Sequence, residues 1–458
     1  MFRGAVVPLW EPVAWALAAL ILARQLFETS LDVLAWRRGL FGRPRLHTAA
    51  AAPPAAAARL RIAVLVPAWR EEAVIAAMLT RAAGAFAGPA CRIYVGCYPN
   101  DAPTRRAVFA AARRLPRIRP VLLPHPGPTS KADCLNHLYR AARADGGFDV
   151  FLLHDAEDLV DAAEPAVLAA RLAAEPGLAL VQFPVRVHRE ARAAPLAHLY
   201  ADEFADSHLR VQPLRAHLTG SALSAGVGTA IRADALAALA ADEGAPFAAD
   251  CLAEDYLLAL QLARRGWRSR FLVPWMADAA GRARLVAVEE CFPHRFAAAV
   301  RQRARWMIGI ACQAPARVGW FGNVWQRLFL LQDRLMIICA LADLVAAALA
   351  LCGLGLPACG IADPPVPLPD DPRFGLLVAA NLALGLWRLG VRMRCAALVH
   401  GWSFALWAPL RWPCGIIVNG CAAIRAIGLH LSARLARRAV AWDKTAHRFP
   451  EAVAGGGG

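Results

Sequence analysis

Short apolar runs alternate with segments of helical periodicity between residues 61 and about 290, and no other sequence feature limits the fold as much. The apolar runs include RIAVLVPAW, RIYVGCYPN and DVFLLHD, and the intervening segments include EEAVIAAMLTRAA and TRRAVFAAARRL. Strands that alternate with helices predict a mostly parallel sheet with helices on both faces. We therefore expect an α/β domain over residues 61–300.

Polar residues follow the predicted strands where each strand ends. The segments are PAWREE after the first strand, YPND after the second, PGPTSKAD after the third and HDAED after the fourth. Parallel sheets bind ligands at the carboxyl ends of their strands. One pocket at this edge of the sheet is therefore expected to collect these side chains.

The composition indicates a mixed architecture. The chain has 458 residues, of which 58% are hydrophobic and 19% charged, so it is too apolar for an ordinary soluble enzyme and too charged to lie wholly in a membrane. The net charge of +16 does not indicate nucleic-acid binding, because arginine is spread through the chain without a basic helical stripe. Anionic lipid and phosphorylated substrates are the expected partners. The twelve cysteines show no zinc-ligand spacing and are interpreted as reduced apolar residues.

The N-terminal region predicts a membrane anchor. Residues 5–27 are mostly apolar and long enough for a tilted spanning helix. Arg37, Arg38, Arg43 and Arg45 follow this segment, whereas only Arg3 precedes it, which favours a spanning helix over a cleaved signal peptide. Residues 1–46 are therefore assigned to a transmembrane helix with its basic flank, and the region that follows is expected in the cytoplasm. Residues 47–60, HTAAAAPPAAAARL, predict a linker.

Further apolar segments follow the α/β domain. Residues 301–334 are predicted to form interfacial helices, and 335–432 to form transmembrane or interfacial helices. Within the latter, 335–356 and 374–390 predict a hairpin that runs from the inside to the outside and back, whereas 396–432 would cross twice or lie at the interface. Residues 433–458 are predicted to be a cytoplasmic tail.

Two acidic clusters are candidate functional sites. Asp155, Glu157 and Asp158 end the fourth strand, where two carboxylates can share a divalent cation with a diphosphate. Glu254 and Asp255 begin a predicted helix, where a buried carboxylate could deprotonate a hydroxyl nucleophile. Helix capping is the alternative for both clusters.

A basic and aromatic segment precedes the apolar hairpin. In RQRARWMIGIACQ, residues 301–313, arginine could bind a leaving diphosphate and tryptophan could stack on a sugar ring. The alternative is an amphipathic helix on anionic lipid, and both uses are compatible.

The aspartates at a strand end, the Ala-Glu-Asp and the Gln-x-x-Arg-Trp occur in the order seen in membrane-integrated processive glycosyltransferases of family 2, which this sequence resembles. PAWREEAVI, GPTSKADCLN, SAGVGTAIRADAL and WDKTAHRFP further resemble the inner-membrane branch linked to bacteriophage adsorption. The resemblance covers roughly residues 60–450. It implies a GT-A fold, which is Rossmann-like, with transmembrane helices, and a multi-pass protein of the bacterial inner membrane.

The resemblance implies a nucleotide-sugar site. Glu71 would lie near the ribose, Asp101 would contact the uracil, and Lys131 would approach the nucleotide or its phosphates. Thr445, in WDKT, would belong to a segment that covers the nucleotide.

It also implies a metal site and a general base. Asp155 and Glu157 would take the positions of the family's Asp-x-Asp and hold Mg²⁺ or Mn²⁺, although glutamate replaces the second aspartate and Asp158 is an alternative ligand. Asp255 would be the base that activates the acceptor hydroxyl.

At the acceptor and diphosphate end, the resemblance implies a set of four residues on one segment: Gln302, Arg303, Arg305 and Trp306. Gly226 would let the backbone approach the acceptor sugar, and a simple turn glycine is the alternative.

Together these features predict an inverting, metal-dependent transfer from a UDP-sugar to a saccharide or lipid-linked acceptor. Polymer growth would be coupled to export across the inner membrane, with an outer-membrane or accessory export partner. One alternative is a single transfer to a polyprenyl phosphate. The other is a non-catalytic scaffold or phage-adsorption component with a degenerate transferase domain.

Overall fold

The computed structural model describes residues 3–40, 60–87, 90–188, 195–352 and 369–438, with side chains from Glu11 onward. The strands are β1 Ile62–Val66, β2 Cys91–Cys97, β3 Ile118–Leu122, β4 Val150–Leu153, β5 Leu178–Gln182, β6 Val185–Val187, β7 Thr229–Arg232, β8 Arg268–Phe271, β9 Trp275–Ala277, β10 Ala283–Leu285 and β11 Val288–Glu290.

The helices divide between the α/β region and the rest of the chain. Those from the N-terminus to the sheet's last helix are α1 Arg3–Arg37, α2 Ile75–Ala85, α3 Ala102–Arg114, α4 Lys131–Asp145, α5 Glu164–Ala174, α6 Pro195–Asp206, α7 Gln212–Thr219, α8 Ala233–Glu243 and α9 Glu254–Arg264. The later ones are α10 Phe296–Met307, α11 Ala314–Val318, α12 Val324–Ala350, α13 Pro372–His400, α14 Trp402–Ala405 and α15 Ala408–Leu435. Two π-helical turns, Ser207–Val211 and Ile308–Gln313, connect α6 to α7 and α10 to α11.

Seven strands form the main sheet of the described chain, in the order β3-β2-β1-β4-β7-β5-β8. β1 pairs in parallel with β2 and β4, β2 with β3, and β5 with β8, whereas β7 runs antiparallel to both of its neighbours. The prediction of a mostly parallel sheet is confirmed. The antiparallel β7 was not foreseen, because alternation of strands and helices carries no sign of strand reversal.

Helices cover both faces of this sheet, as predicted. β1 is buried throughout, and its alternate residues enter two different cores: Val64 packs in one and Leu65 in the other. The first core takes its helical residues from α2, α3 and α5, and the second from α4, α7, α8 and α9. Since successive side chains of a strand point to opposite faces, a strand covered on both sides reads as a continuous apolar run.

The remaining helices pack together beside the α/β region. α15 packs against α10 and α12, and α13 packs against α1 and α6. The apolar stretch 335–356 falls mainly in α12, 374–390 in α13, and 396–432 across the end of α13, α14 and α15.

Two of these helices, α13 and α15, are long and apolar enough to cross a membrane by length and composition. Most of the predicted linker at 47–60 and of the predicted tail at 433–458 lies outside the described residues.

Candidate active site

A cavity of about 180 Å³ opens at the carboxyl ends of β1, β2 and β4. Its wall includes residues that directly follow these strands, the first residues of α4 and α9, the end of β11 and one face of α10. The charged side chains that line it are Glu71, Lys131, Asp155, Glu157, Glu254, Asp255, Glu290 and Arg305. The expected convergence at this edge of the sheet therefore exists as a single cleft.

Lys131 holds one carboxylate of this cleft. It is the first residue of α4, and its Nζ lies 2.6 Å from Asp155 Oδ1 while donating a hydrogen bond to the backbone oxygen of Gly226 at 3.2 Å. The side chain of Ser130 caps α4 by accepting a hydrogen bond from the Asp133 backbone, which fixes where the helix begins. The cap thereby sets the position of the ammonium group.

A buried network fixes the turn that carries Asp155. Asp158 Oδ2 accepts a hydrogen bond from the Asp155 backbone N–H at 3.0 Å and lies 2.8 Å from Nδ1 of His154, and both side chains are fully buried. His154 Nε2 lies 3.3 Å from Glu164 on α5. Asp158 therefore anchors the turn and is not among the residues that line the cleft, whereas Asp155 and Glu157 are.

Gly226 brings the backbone close to Asp255. Its φ is +80°, and a β-carbon there would lie 2.9 Å from Asp255 Oδ2 and 3.3 Å from Lys131 Nζ. A non-glycine residue would be strained by this φ and would also meet the carboxylate. Asp255 is the second residue of α9, where the backbone N–H of Tyr256 donates to its Oδ1.

The electrostatics of the cleft are dominated by excess negative charge. Burial raises the pKa of Asp255, an effect to which Asp155 adds and which Lys131 opposes. Burial together with Asp255 raises the pKa of Glu254, and burial with Asp158 and Asp155 raises that of Glu290. Burial alone would lower the pKa of Lys131, but the surrounding carboxylates raise it. A carboxyl with a raised pKa is a stronger base once ionised.

The residues of the Gln-x-x-Arg-Trp segment lie on two different faces of α10, and only one of these faces lines the cleft. Gln302, Arg305 and Trp306 are spaced by three and four residues, so they share one helix face, and all three line the cleft. Arg303 directly follows Gln302 and therefore lies about 100° from it around the helix axis. Its Nη1 donates to Asn419 Oδ1 at 2.6 Å, and its Nη2 lies 2.6 Å from Glu203 Oε2. Arg303 therefore joins α10 to α6 and α15 and does not line the cleft.

Asp101 also lies outside the cleft lining. It caps α3 through the Thr104 N–H and accepts a hydrogen bond from the Arg70 backbone at 2.6 Å. Its carboxylate thus joins the loop after β1 to α3, and that loop carries Glu71, whose own N–H donates to Thr104 Oγ1 at 2.9 Å. Thr445 lies outside the described residues.

Glu290 and Cys291 line the cleft and were not singled out from the sequence. Glu290 ends β11, which pairs in parallel with β6 in a separate two-stranded sheet. The sequence signal that could have identified Glu290 is the acidic pair at the end of the apolar run LVAVEE, because polar residues that follow other strands also face the cleft.

Comparisons with known proteins agree with this architecture. Bacteriophage adsorption protein B of Escherichia coli K12 and bacteriophage N4 adsorption protein B of Escherichia coli O157:H7 are each 32% identical to the chain over 417 residues. The match covers 85% of the chain and 55% of each relative, so the chain spans about half the length of these curated relatives.

A solved mannosyltransferase from Pyrobaculum calidifontis, in complex with GDP-mannose and Mn²⁺, has a similar fold, with a TM-score of 0.55 at 18% identity. The similarity covers 90% of the chain and 99% of that protein and confirms the GT-A fold class. The model of glycosyltransferase like family 2 matches residues 58–309, more than half of the chain, and includes every charged residue that lines the cleft. The chain therefore belongs to glycosyltransferase family 2.

Proposed function

We propose that the chain is an inverting, metal-dependent glycosyltransferase that moves a sugar from a UDP-sugar onto a growing polysaccharide. The observation that carries this proposal is the convergence of Asp155, Asp255 and Arg305 around one cleft, although they are far apart in sequence. Single displacement requires a base on one side of the anomeric carbon and a stabilised diphosphate on the other. The cleft supplies candidates for both.

The donor set fits a hard divalent cation. Asp155 and Glu157 offer carboxylate oxygens, which Mg²⁺ and Mn²⁺ prefer, and Glu290 lies in the same wall. Six carboxylates and two basic side chains line the cleft, so a cation would reduce its excess negative charge. Bound at Asp155 and Glu157, the metal would supply electrostatic stabilisation of the departing diphosphate.

The remaining steps fall to side chains of the chain. Asp255, once ionised, would accept the proton of the acceptor hydroxyl, a contribution typically about 10²- to 10⁴-fold in rate. Arg305 would bind the diphosphate as its charge develops, and Trp306 would stack on the acceptor sugar. Lys131 would neutralise charge beside the donor phosphates, and Glu71 would face the ribose. Gly226, which has no side chain, would leave room for the acceptor beside Asp255.

Attachment to the bacterial inner membrane is part of the proposal. Large apolar side chains are exposed along both long helices: Leu376, Leu382 and Leu386 on α13, and Leu410, Ile417, Ile424 and Leu431 on α15. An apolar surface of this extent is typical of contact with lipid or a partner. The catalytic domain would then face the cytoplasm, where nucleotide sugars are made.

A second cavity supports the coupling of synthesis to export. It measures about 770 Å³ and is lined by residues of α1, α6, α10, α12, α13 and α15, including the polar side chains Gln25, Arg303, Gln332, Asn381 and Asn419. α10 is a wall of both cavities, because Arg303 and Met307 face this one while Arg305 and Trp306 face the cleft. A growing saccharide would pass from the cleft along α10 towards the helices.

The second candidate function is a non-catalytic component of phage adsorption. The names of the two curated relatives favour it, since both are adsorption proteins. The ion pair of Asp155 with Lys131 also favours it, because one metal-binding carboxylate is already paired.

Product size separates these functions. Membranes that contain the full chain are incubated with radiolabelled UDP-sugars and Mg²⁺ or Mn²⁺, and the products are resolved by size with and without chelator. A chelator-sensitive polymer is the expected result. A single lipid-linked product would indicate one transfer per acceptor, and absence of any product with the whole donor panel would favour the adsorption role.

A further inference from the structure

His125, Asp133 and His137 form a compact group of ligand-type side chains outside the lining of the cleft. One potential ligand atom from each residue lies within 4.8 Å of the others, and among the described residues this is the single group of three or more such side chains with that spacing. His125 lies between β3 and α4, Asp133 in the first turn of α4, and His137 one turn later. None of the three lines the cleft.

The distance between His125 and Asp133 suits a shared ion better than a direct hydrogen bond. His125 Nε2 lies 3.5 Å from Asp133 Oδ2. A good N–H···O hydrogen bond has about 2.9 Å between its heavy atoms. Ligands about 2.0–2.1 Å from a tetrahedral zinc ion lie roughly 3.3 Å from one another. The separation of His125 Nε2 from Asp133 Oδ2 therefore needs only a small contraction around an ion.

One carboxylate oxygen of Asp133 is buried without a hydrogen-bond partner among the described residues. This oxygen, Oδ2, is shielded from solvent and accepts no hydrogen bond within the described part of the chain. A buried carboxylate oxygen without a partner costs free energy, so such an atom is expected to bind an ion or water.

His137 is oriented in the manner of a metal ligand. Its Nδ1 lies 3.0 Å from the backbone oxygen of Asp133 and donates to it. Metal-binding histidines usually donate one ring N–H to a carbonyl or carboxylate, which leaves the other nitrogen unprotonated. Here that nitrogen is Nε2. The side chain of His125 is 40% exposed, so solvent can supply a further ligand.

We propose that His125, Asp133 and His137 bind one zinc ion, with water as the fourth ligand. Two imidazoles and one carboxylate suit Zn²⁺, whereas the carboxylates Asp155 and Glu157 of the cleft suit Mg²⁺ or Mn²⁺. The two sites therefore differ in the metal they select.

Zinc binding would join the segment after β3 to α4. Asp133 is two residues from Lys131, and its backbone N–H donates to Ser130 Oγ at 3.2 Å, in the cap that fixes the start of α4. The site is thus placed to hold the loop that leads to the cleft. An effect of zinc on donor binding, through the loop that leads to the cleft, rests on the proposed function, but zinc binding itself does not.

The test measures zinc on the purified full chain in detergent. The protein is stripped with chelator, dialysed against Zn²⁺ with excess Mg²⁺ to saturate oxygen-only sites, and assayed for bound zinc. About one equivalent per chain is expected, with X-ray absorption showing nitrogen and oxygen ligands that include imidazole. No retained zinc, a sulfur-containing shell or a shell without imidazole would overturn the proposal.

Three variants locate the ion. His125→Gln, Asp133→Asn and His137→Gln should each lose the bound zinc, while His217→Gln, at an exposed histidine on α7, should retain it. Thermal melting without zinc checks that the variants fold. Zinc retained at the wild-type level in folded His125→Gln and His137→Gln would place it elsewhere and refute the site. Catalytic activity is not used as a readout, so failure of the proposed function would not affect the result.

Discussion

Gly226 and Asp255 approach so closely that a β-carbon on residue 226 would lie 2.9 Å from Asp255 Oδ2. Gly220 provides a matched comparison, because its φ of +73° is close to the +80° of Gly226 but nothing lies within 4 Å of the equivalent β-carbon. Both glycines adopt a left-handed conformation, and only one of them faces the candidate base.

Gly226→Ala is predicted to abolish most sugar transfer, whereas Gly220→Ala retains it. Both substitutions should cost roughly 1–2 kcal/mol of stability, since alanine is strained at such φ values. Only the first displaces the Asp255 carboxylate. Thermal midpoints and rates of nucleotide release for the two variants check this. Equal rates at equal stability would show that the contact has no role in catalysis.

Glu157→Gln and Asp158→Asn are predicted to have different defects. Glu157 lines the cleft, so its amide should raise the Mn²⁺ concentration needed for half-maximal activity. Asp158 is buried against His154, so Asp158→Asn should lower stability by about 3–5 kcal/mol, as expected when one partner of a buried ion pair is removed. Metal titrations and unfolding curves separate the two effects. A metal-affinity loss confined to Asp158→Asn would instead make Asp158 the second ligand.

Arg303→Met is predicted mainly to lower stability, whereas Arg305→Met is predicted mainly to lower turnover. Arg303 is 6% exposed and pairs with Glu203, so its loss should destabilise the chain by about 3–5 kcal/mol. Arg305→Met should leave the melting temperature nearly unchanged and lower the turnover rate by about 10²- to 10³-fold, the typical cost of removing one donor to a developing negative charge. A larger loss of turnover in folded Arg303→Met than in Arg305→Met would contradict this prediction.

The contribution of His208 to stability should fall as the pH drops below neutral. Burial lowers its pKa to about 4 from a usual value of 6.5, and its Nδ1 accepts a hydrogen bond from the Val185 backbone at 3.0 Å. Between pH 6.5 and about 4 the unfolded chain therefore binds a proton at this histidine more readily than the folded chain does. As the pH falls through this range, the free energy of unfolding decreases by up to about 3 kcal/mol.

His208→Asn keeps an acceptor at a similar position and cannot titrate there. Unfolding midpoints of both proteins at about pH 7.5 and about pH 5 check this prediction. The wild type should lose its advantage over the variant at the lower pH. Parallel losses in both proteins would assign the acid sensitivity to other groups.

Local patterns were enough to predict the sheet and much of the cleft. Each strand of the first half ends in polar residues, so the convergence of Asp155 with Glu71 and Lys131 followed from parallel topology. The reversal of β7 and the contribution of Glu290 did not follow, because both depend on pairing between distant segments.

Other differences have local explanations. Gln302 and Arg305 lie three residues apart on one face of α10, and Arg303 lies on another, so helical phase separates residues that the motif groups together. Asp101 precedes a helix with Pro103 in its first turn, which is a capping signal, and it caps α3. The Asp133 and His137 pair has the spacing of one helical turn, but His125 joins it only through the fold.

The proposed sugar transfer depends on a carboxylate base acting within a nucleotide-sugar cleft. The most direct measurement is the release of nucleoside diphosphate by the full chain with a panel of UDP-sugars and GDP-mannose, for wild type, Asp255→Asn and Asp242→Asn. Asp242 is an exposed aspartate on α8 that pairs with Arg265 outside the cleft. Release by wild type and Asp242→Asn, reduced about 10²-fold or more in Asp255→Asn, is the predicted result. Equal release by folded Asp255→Asn and wild type, or none by wild type with any donor, would contradict it.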